Sequence, residues 1–166
     1  MGYWTIAYGV TLHAEPEVYN KLKAKVPLTE KEGAIASYEL KNQKYAPQIL
    51  DVCKELGVSK QCQFDALVSF SFNLGFGVLN DRGSAIYKAI KKNINDRDGI
   101  TKAFGLYVNA GDPPKPVDGL IRRRKEEANM FFGEYPKPAS ILIRNEKGYT
   151  GIVTENGGNG WLPDKC

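Results

Sequence analysis

The chain is short of the residues on which much enzyme chemistry is built. It has one histidine, His13, in 166 residues. A Ser-His-Asp or Cys-His machine would have to run through it, and nothing near it offers a nucleophile's setting. His13 is expected in a loop or at a cap. Cysteine is scarce too: Cys53, Cys62 and Cys166, an odd number without C-x-x-C spacing. That argues against a disulfide framework and a zinc site. Free thiols in a reducing compartment are the expectation, with no metal and no cofactor. No apolar run approaches the roughly eighteen residues of a membrane span, so no membrane insertion is expected. Met1-Gly2-Tyr3-Trp4 lacks the basic and then apolar pattern of a signal peptide.

The formal net charge of +4 is mild. It favours approach to an anionic polymer, a bacterial wall or a nucleic acid, without selecting either. Arg122-Arg123-Arg124-Lys125 invites a nucleic-acid reading, but consecutive helical positions spread around the helix. Glu126 and Glu127 then cancel much of the charge. A solvated face with one inward arginine is expected, and no nucleic acid partner.

What is present begins with a strand. Tyr3, Thr5 and Ala7 fall on one face, Trp4, Ile6 and Tyr8 on the other. Gly9 permits a turn or a close backbone approach. The strand reads as one arm of a hairpin whose other arm lies at the far end of the chain. Ala14 to Lys25 predicts a short helix interrupted near Pro16. Thr29-Glu30-Lys31-Glu32 is a capping box, with Leu28 placed as a hydrophobic staple. The helical period continues through Ala34, Ile35, Tyr38, Ile49, Val52 and Leu56, broken or kinked at Pro47, and Gly57 ends it.

Ser59 is expected to cap a helix from Lys60 to about Leu74 that is apolar nearly all round, hence central and buried. Ser84 caps the next, Ala85 to Lys92, and Asp96 or Asp98 the one after. Asp118 caps Gly119 to Phe132. Glu134 to Ser140 then has a linker's composition. Ile141 to Thr154 carries a weak helical pattern through Ile143, Tyr149, Ile152 and Val153, although Gly148 and Gly151 each cost about 1 kcal/mol of helix propensity. A glycine-rich stretch, Glu155 to Gly160, leads to Trp161-Leu162-Pro163-Asp164-Lys165-Cys166.

Glycoside hydrolysis needs a carboxylic acid to protonate the leaving oxygen and a polar group on the opposite face. Glu155 and Asp164 are separated by eight residues; with Cys166 joined to Gly2, five lie between Asp164 and Thr5. This pattern resembles the active-site segment of the phage-type lysozymes, the endolysin muramidases: Glu, eight residues, Asp or Cys, five residues, Thr. Gln63 to Gly75 resembles that family's central helix. Gly119-Leu120-Ile121-Arg122-Arg123-Arg124 with Glu127 resembles its late helix, and Glu146 to Val153 its first helix. Ala7 stands where the family usually has Gly, and Val10 where it often has His.

The resemblance implies an α+β, mainly α, lysozyme-like fold in circularly permuted order. Residues 1–28 and 155–166 would form the hairpin lobe, 29–56 the connecting helix region and 57–135 the helical lobe. Residues 136–140 would join the old ends, and 141–154 would be the family's first helix. It also implies a single-domain, monomeric N-acetylmuramidase of bacterial peptidoglycan, held in the host cytoplasm until a membrane lesion releases it to the wall. Glu155 would be the general acid, Asp164 would hold water or stabilise charge, and Thr5 would orient that water, with inversion at the anomeric carbon. Glu146 is the rival acid. Thr11, Phe72, Ser84 and Ala103 fall where the family lines its cleft. The competing expectations are a lytic transglycosylase and a wall-binding permutant of weakened or lost activity.

Overall fold

The computed structural model of the chain describes residues 5–7, 9–134, 141–144 and 150–153. It opens on a minimal hairpin, β1 (Thr5–Ile6) and β2 (Val10–Thr11), paired antiparallel with Thr5 opposite Thr11 and Ile6 opposite Val10. The described partner of the opening strand is therefore the next strand along; the expected partner, 155–166, lies outside the described residues. α1 (Pro16–Lys23) follows. Pro16 begins this helix rather than interrupting it, because the first turn has no use for the missing N–H.

The Thr29 capping box forms as expected. Thr29 Oγ1 accepts from the Glu32 amide at 3.2 Å, and Glu32 Oε2 accepts from the Thr29 amide at 2.9 Å. These bonds to Thr29, backbone first, hold the Glu32 carboxyl below its usual range. α2 (Glu30–Leu40) runs into a π turn (Lys41–Tyr45), and α3 (Ala46–Glu55) continues with Pro47 in its first turn. The break expected at Pro47 is thus a local widening of the ladder just upstream. The Ala46 amide bonds back five residues to the Lys41 carbonyl, the mark of a π turn. Lys41 and Tyr45 are both turned into the protein by it.

α4 (Gln61–Leu74) is the axis of the core, with Phe64, Leu67, Val68 and Phe70 almost wholly buried. Its cap differs from expectation. The Ser59 and Lys60 amides both donate to Gln63 Oε1 at 3.3 Å, so the acceptor is the side chain in the first turn. α5 (Gly77–Asn80), α6 (Ala85–Lys92), α7 (Arg97–Gly105), the short pair β3 (Asn109–Ala110) and β4 (Lys115–Pro116), and α8 (Asp118–Phe131) follow. α8 packs along both α4 and α7. Edge-on rings join these helices, Phe70 to Phe104 at 5.1 Å and Phe104 to Phe131 at 6.3 Å, an arrangement that suits the ring quadrupoles.

Residues 141–144 and 150–153 correct the sequence reading. Where a helix was expected, β5 (Ile141–Arg144) pairs antiparallel with β6 (Thr150–Val153), Ile141 opposite Val153 and Arg144 opposite Thr150. Ile141, Ile143, Thr150, Ile152 and Val153 are β-branched and lose side-chain freedom in a helix. With Gly148 and Gly151 in the same stretch, strand pairing wins. The helix that the permuted order requires is not formed here. A second correction concerns sulfur: Cys62 is disulfide-bonded. Cys53 is a free thiol, and burial pushes it up to about 12. Among the described residues no helix is long and apolar enough to cross a membrane.

Candidate active-site groove

The β1–β2 hairpin sits over the C-terminal end of α4. Its turn uses two positive φ angles, Ala7 at 53° and Gly9 at 99°. Gly9 has a second reason to be glycine: a Cβ there would stand 3.0 Å from Cε1 of Phe72. β2 is tied to the start of α1 by the Glu15 amide, which donates to the Thr11 carbonyl at 3.0 Å, and by the Ala14 amide, which donates to Thr11 Oγ1 at 3.2 Å.

Between the hairpin, α4 and the π turn lies a cavity of about 310 Å³, lined by Thr11, Glu15, Tyr45, Phe72, Asn73 and Arg123 among others. Tyr45 meets Phe72 edge-on with centroids 5.2 Å apart. Glu15, only 7% exposed, accepts at Oε1 from Lys44 Nζ at 2.8 Å and from the Tyr45 hydroxyl at 2.9 Å. Burial, reinforced by Glu15, pushes the Tyr45 phenol well above its ordinary range, so it remains a donor.

Beneath the cavity is a buried charge cluster centred on Glu127, which has no exposed surface. Its Oε1 accepts from Ser69 Oγ at 2.8 Å, Arg123 Nε at 3.0 Å and Arg124 Nη2 at 3.1 Å. Arg124 Nε lies 2.9 Å from Glu127 Oε2 as an ion pair, but it is not aligned as a hydrogen bond. The Arg124 guanidinium also donates to Asn73 Oδ1 at 2.9 Å and covers the Phe70 ring at 4.8 Å. Where one inward arginine was expected of the basic run, two reach in, Arg124 almost wholly buried and Arg123 partly so, both held by the carboxylate of Glu127. Lys41 reaches in from the π turn, its Nζ 4.9 Å from the Phe72 centroid. Burial, with Arg123 adding to it, pulls Lys41 down to about 7 against the pull of Glu127 and Asp65.

Of the residues picked from sequence, Thr11 and Phe72 meet at this cavity. Thr5 is placed by its backbone, opposite Thr11. Ser84 is a helix cap, its hydroxyl accepting from the Tyr87 amide at 3.2 Å. Ala103 is buried in α7 and packs in the core. Neither lines the cavity. Glu155, Asp164 and Glu146 lie outside the described residues. Glu15, Lys44, Tyr45 and Lys41 were missed. Glu15 meets Lys44 and Tyr45 across separations of 29 and 30 positions, and nothing local in the sequence marks that. Among the described residues no three His, Cys, Asp or Glu side chains gather to hold a metal ion.

A short hairpin set over a buried central helix, with a polar groove between them, makes this a lysozyme-like α+β protein. The chain belongs to the phage lysozyme family, whose sequence model matches residues 1–127 in one stretch. It is 36% identical over 91 residues to the endolysin of Bacillus phage PZA, covering 54% of this chain and 33% of that protein. It is 33% identical over 72 residues to the endolysin of Bacillus phage B103, covering 43% and 25%. The endolysin of Lactococcus phage c2 is 33% identical over 90 residues, covering 54% and 34%. The matches thus span a quarter to a third of the length of these relatives. No solved structure matches the chain.

Proposed function

We propose that this protein is a peptidoglycan hydrolase, an N-acetylmuramidase cleaving the β-1,4 bond between N-acetylmuramic acid and N-acetylglucosamine. The observation that carries the reading is the groove itself. Two aromatic rings, Tyr45 and Phe72, stand beside Thr11, Asn73 and Glu15 in one cavity under the family hairpin. The two rings, almost wholly buried, close the floor of the cavity, and Thr11 and Asn73 at its lining offer a sugar's hydroxyls and amides polar partners.

In this reading Glu155 is the general acid, a role that requires it to hold a proton near neutrality. Asp164 holds the attacking water or stabilises positive charge at the anomeric carbon, and Thr5 orients that water, with inversion. These roles rest on the Glu-eight-Asp-five-Thr spacing. The protein works on the cell wall after release from the host cytoplasm. Clearing of permeabilised Gram-negative cells by the wild type and by Glu155→Gln tests the assignment. Loss of clearing by at least 100-fold supports it, and equal clearing removes Glu155 from the mechanism.

The β5–β6 pair favours a second reading. Strands at 141–144 and 150–153 stand where the family's acid-bearing helix was expected, and the family match ends before them. On that reading Glu155 and Asp164 are not the acid and its partner, and the groove holds the wall without cutting it. Co-sedimentation with sacculi that stay intact is its result.

A further inference from the structure

We infer that Glu15 is a positioning residue for the groove, tying the β1–β2 hairpin to the π turn and thereby setting how far the hairpin stands from α4. The argument begins with what the hairpin cannot do alone. Its strands are two residues each, and an isolated pair of that length does not hold itself. Its place must come from what anchors it.

The anchors form a closed circuit. The Gly9 turn lies against the Phe72 ring, and Phe72 meets Tyr45 edge-on. The Tyr45 hydroxyl and the Lys44 ammonium donate to one Glu15 oxygen, at 2.9 Å and 2.8 Å. Lys44 Nζ also reaches the Ala14 carbonyl at 3.4 Å. The Glu15 amide returns the circuit to β2 through the Thr11 carbonyl. Remove the carboxylate and the hairpin keeps the ring contact, the buried Val10 side chain and the longer Lys44–Ala14 bond, but loses both short bonds that tie it to the π turn.

The ordinary alternative is a structural ion pair with no bearing on the groove. Three features weigh against it. Glu15 is almost wholly buried yet lines the cavity. Both side chains it holds come from the π turn, the distorted element of an otherwise regular helical run. The hairpin it fixes carries Thr5 in register with Thr11. Glu15 acts through Lys44 and Tyr45 and is not itself a catalytic residue.

Only the activity arm of the test rests on the hydrolase reading. Glu15→Ala, Glu15→Gln, Tyr45→Phe and the Glu15→Ala/Tyr45→Phe double variant are compared with the wild type by amide hydrogen exchange and by kcat and KM on soluble peptidoglycan. Glu15→Ala should speed exchange at Val10, Ala14 and position 15 about tenfold or more while α4 amides stay unchanged. It should lower kcat about 10- to 100-fold, the range expected of a misplacement near one ångström, with KM changed less than about threefold. Glu15→Gln keeps an acceptor for Tyr45 and should recover part of both. The double variant should be no worse than Glu15→Ala. Wild-type exchange at the hairpin amides in Glu15→Ala overturns the tie. Wild-type kcat with faster exchange overturns its bearing on the groove. If the wild type releases no fragments, the hydrolase reading fails instead, and exchange alone decides the tie.

Discussion

Replacing Glu127 by alanine would strand the Arg124 charge inside the protein. The carboxylate has no exposed surface and accepts three hydrogen bonds on one oxygen, from Ser69, Arg123 and Arg124. Arg123 retains a quarter of its side-chain exposure and can turn towards water. Arg124 is 1% exposed and cannot. Burial already pulls Arg124 down to about 10, with Arg123 adding to the pull and Glu127 opposing it. Breaking a buried pair by removing one partner costs about 3–5 kcal/mol. At about 2–4 °C per kcal/mol for a domain of this size, Tm should fall by roughly 6–20 °C. Calorimetry at pH 7 reads this directly. Adding Arg124→Met to Glu127→Ala removes the stranded charge and should restore at least half of the loss, because deleting both members of a buried pair is far cheaper than deleting one. A Glu127→Ala drop under 2 °C, or a double variant whose loss is the sum of the two single losses, would refute the reasoning.

Gly9→Ala combines a positive φ with a Cβ at 3.0 Å from the Phe72 ring. The backbone part alone costs about 1–2 kcal/mol, so hairpin amides should exchange faster by roughly tenfold; unchanged exchange would contradict the close approach. Lys41 predicts a pH dependence. Its folded value of about 7 lies below the ordinary 10.5, so the unfolded chain binds more protons between the two values and stability rises with pH across that window, by at most about 1.4 kcal/mol per unit. Below pH 7 the penalty is at its full size. Lys41→Met should therefore raise Tm most at pH 6.5 and progressively less towards pH 10, and a gap that does not change with pH would rule this out.

Local signals made much of the fold legible. Thr29 with Glu32, Ser84 and Asp96 cap their helices as the sequence indicates, because a cap is decided within one turn. The all-round apolar character of α4 marked it as central; the basic run sends Arg123 inward as well as Arg124, one more than expected, because Glu127 sits on the face both reach. Residues 141–154 misled because a handful of apolar positions fits either period, and β-branching decides between them only weakly at the level of sequence. Pro47 announced a break but not its form, and the π turn it accompanies decides where Lys41 and Tyr45 point. The Glu15–Lys44–Tyr45 tie is a contact between segments about 30 residues apart, a distance over which composition carries no signal. Thr11 and Phe72 were legible through the family resemblance alone. Ser84 and Ala103, taken from the same resemblance, are engaged in a cap and in the core.

The most direct measurement is the chemistry of the ends released from purified peptidoglycan. The account predicts soluble fragments carrying reducing N-acetylmuramic acid ends, produced by the wild-type protein. Fragments ending in anhydro-muramic acid, or sacculi left uncut by protein that nevertheless binds them, would contradict it.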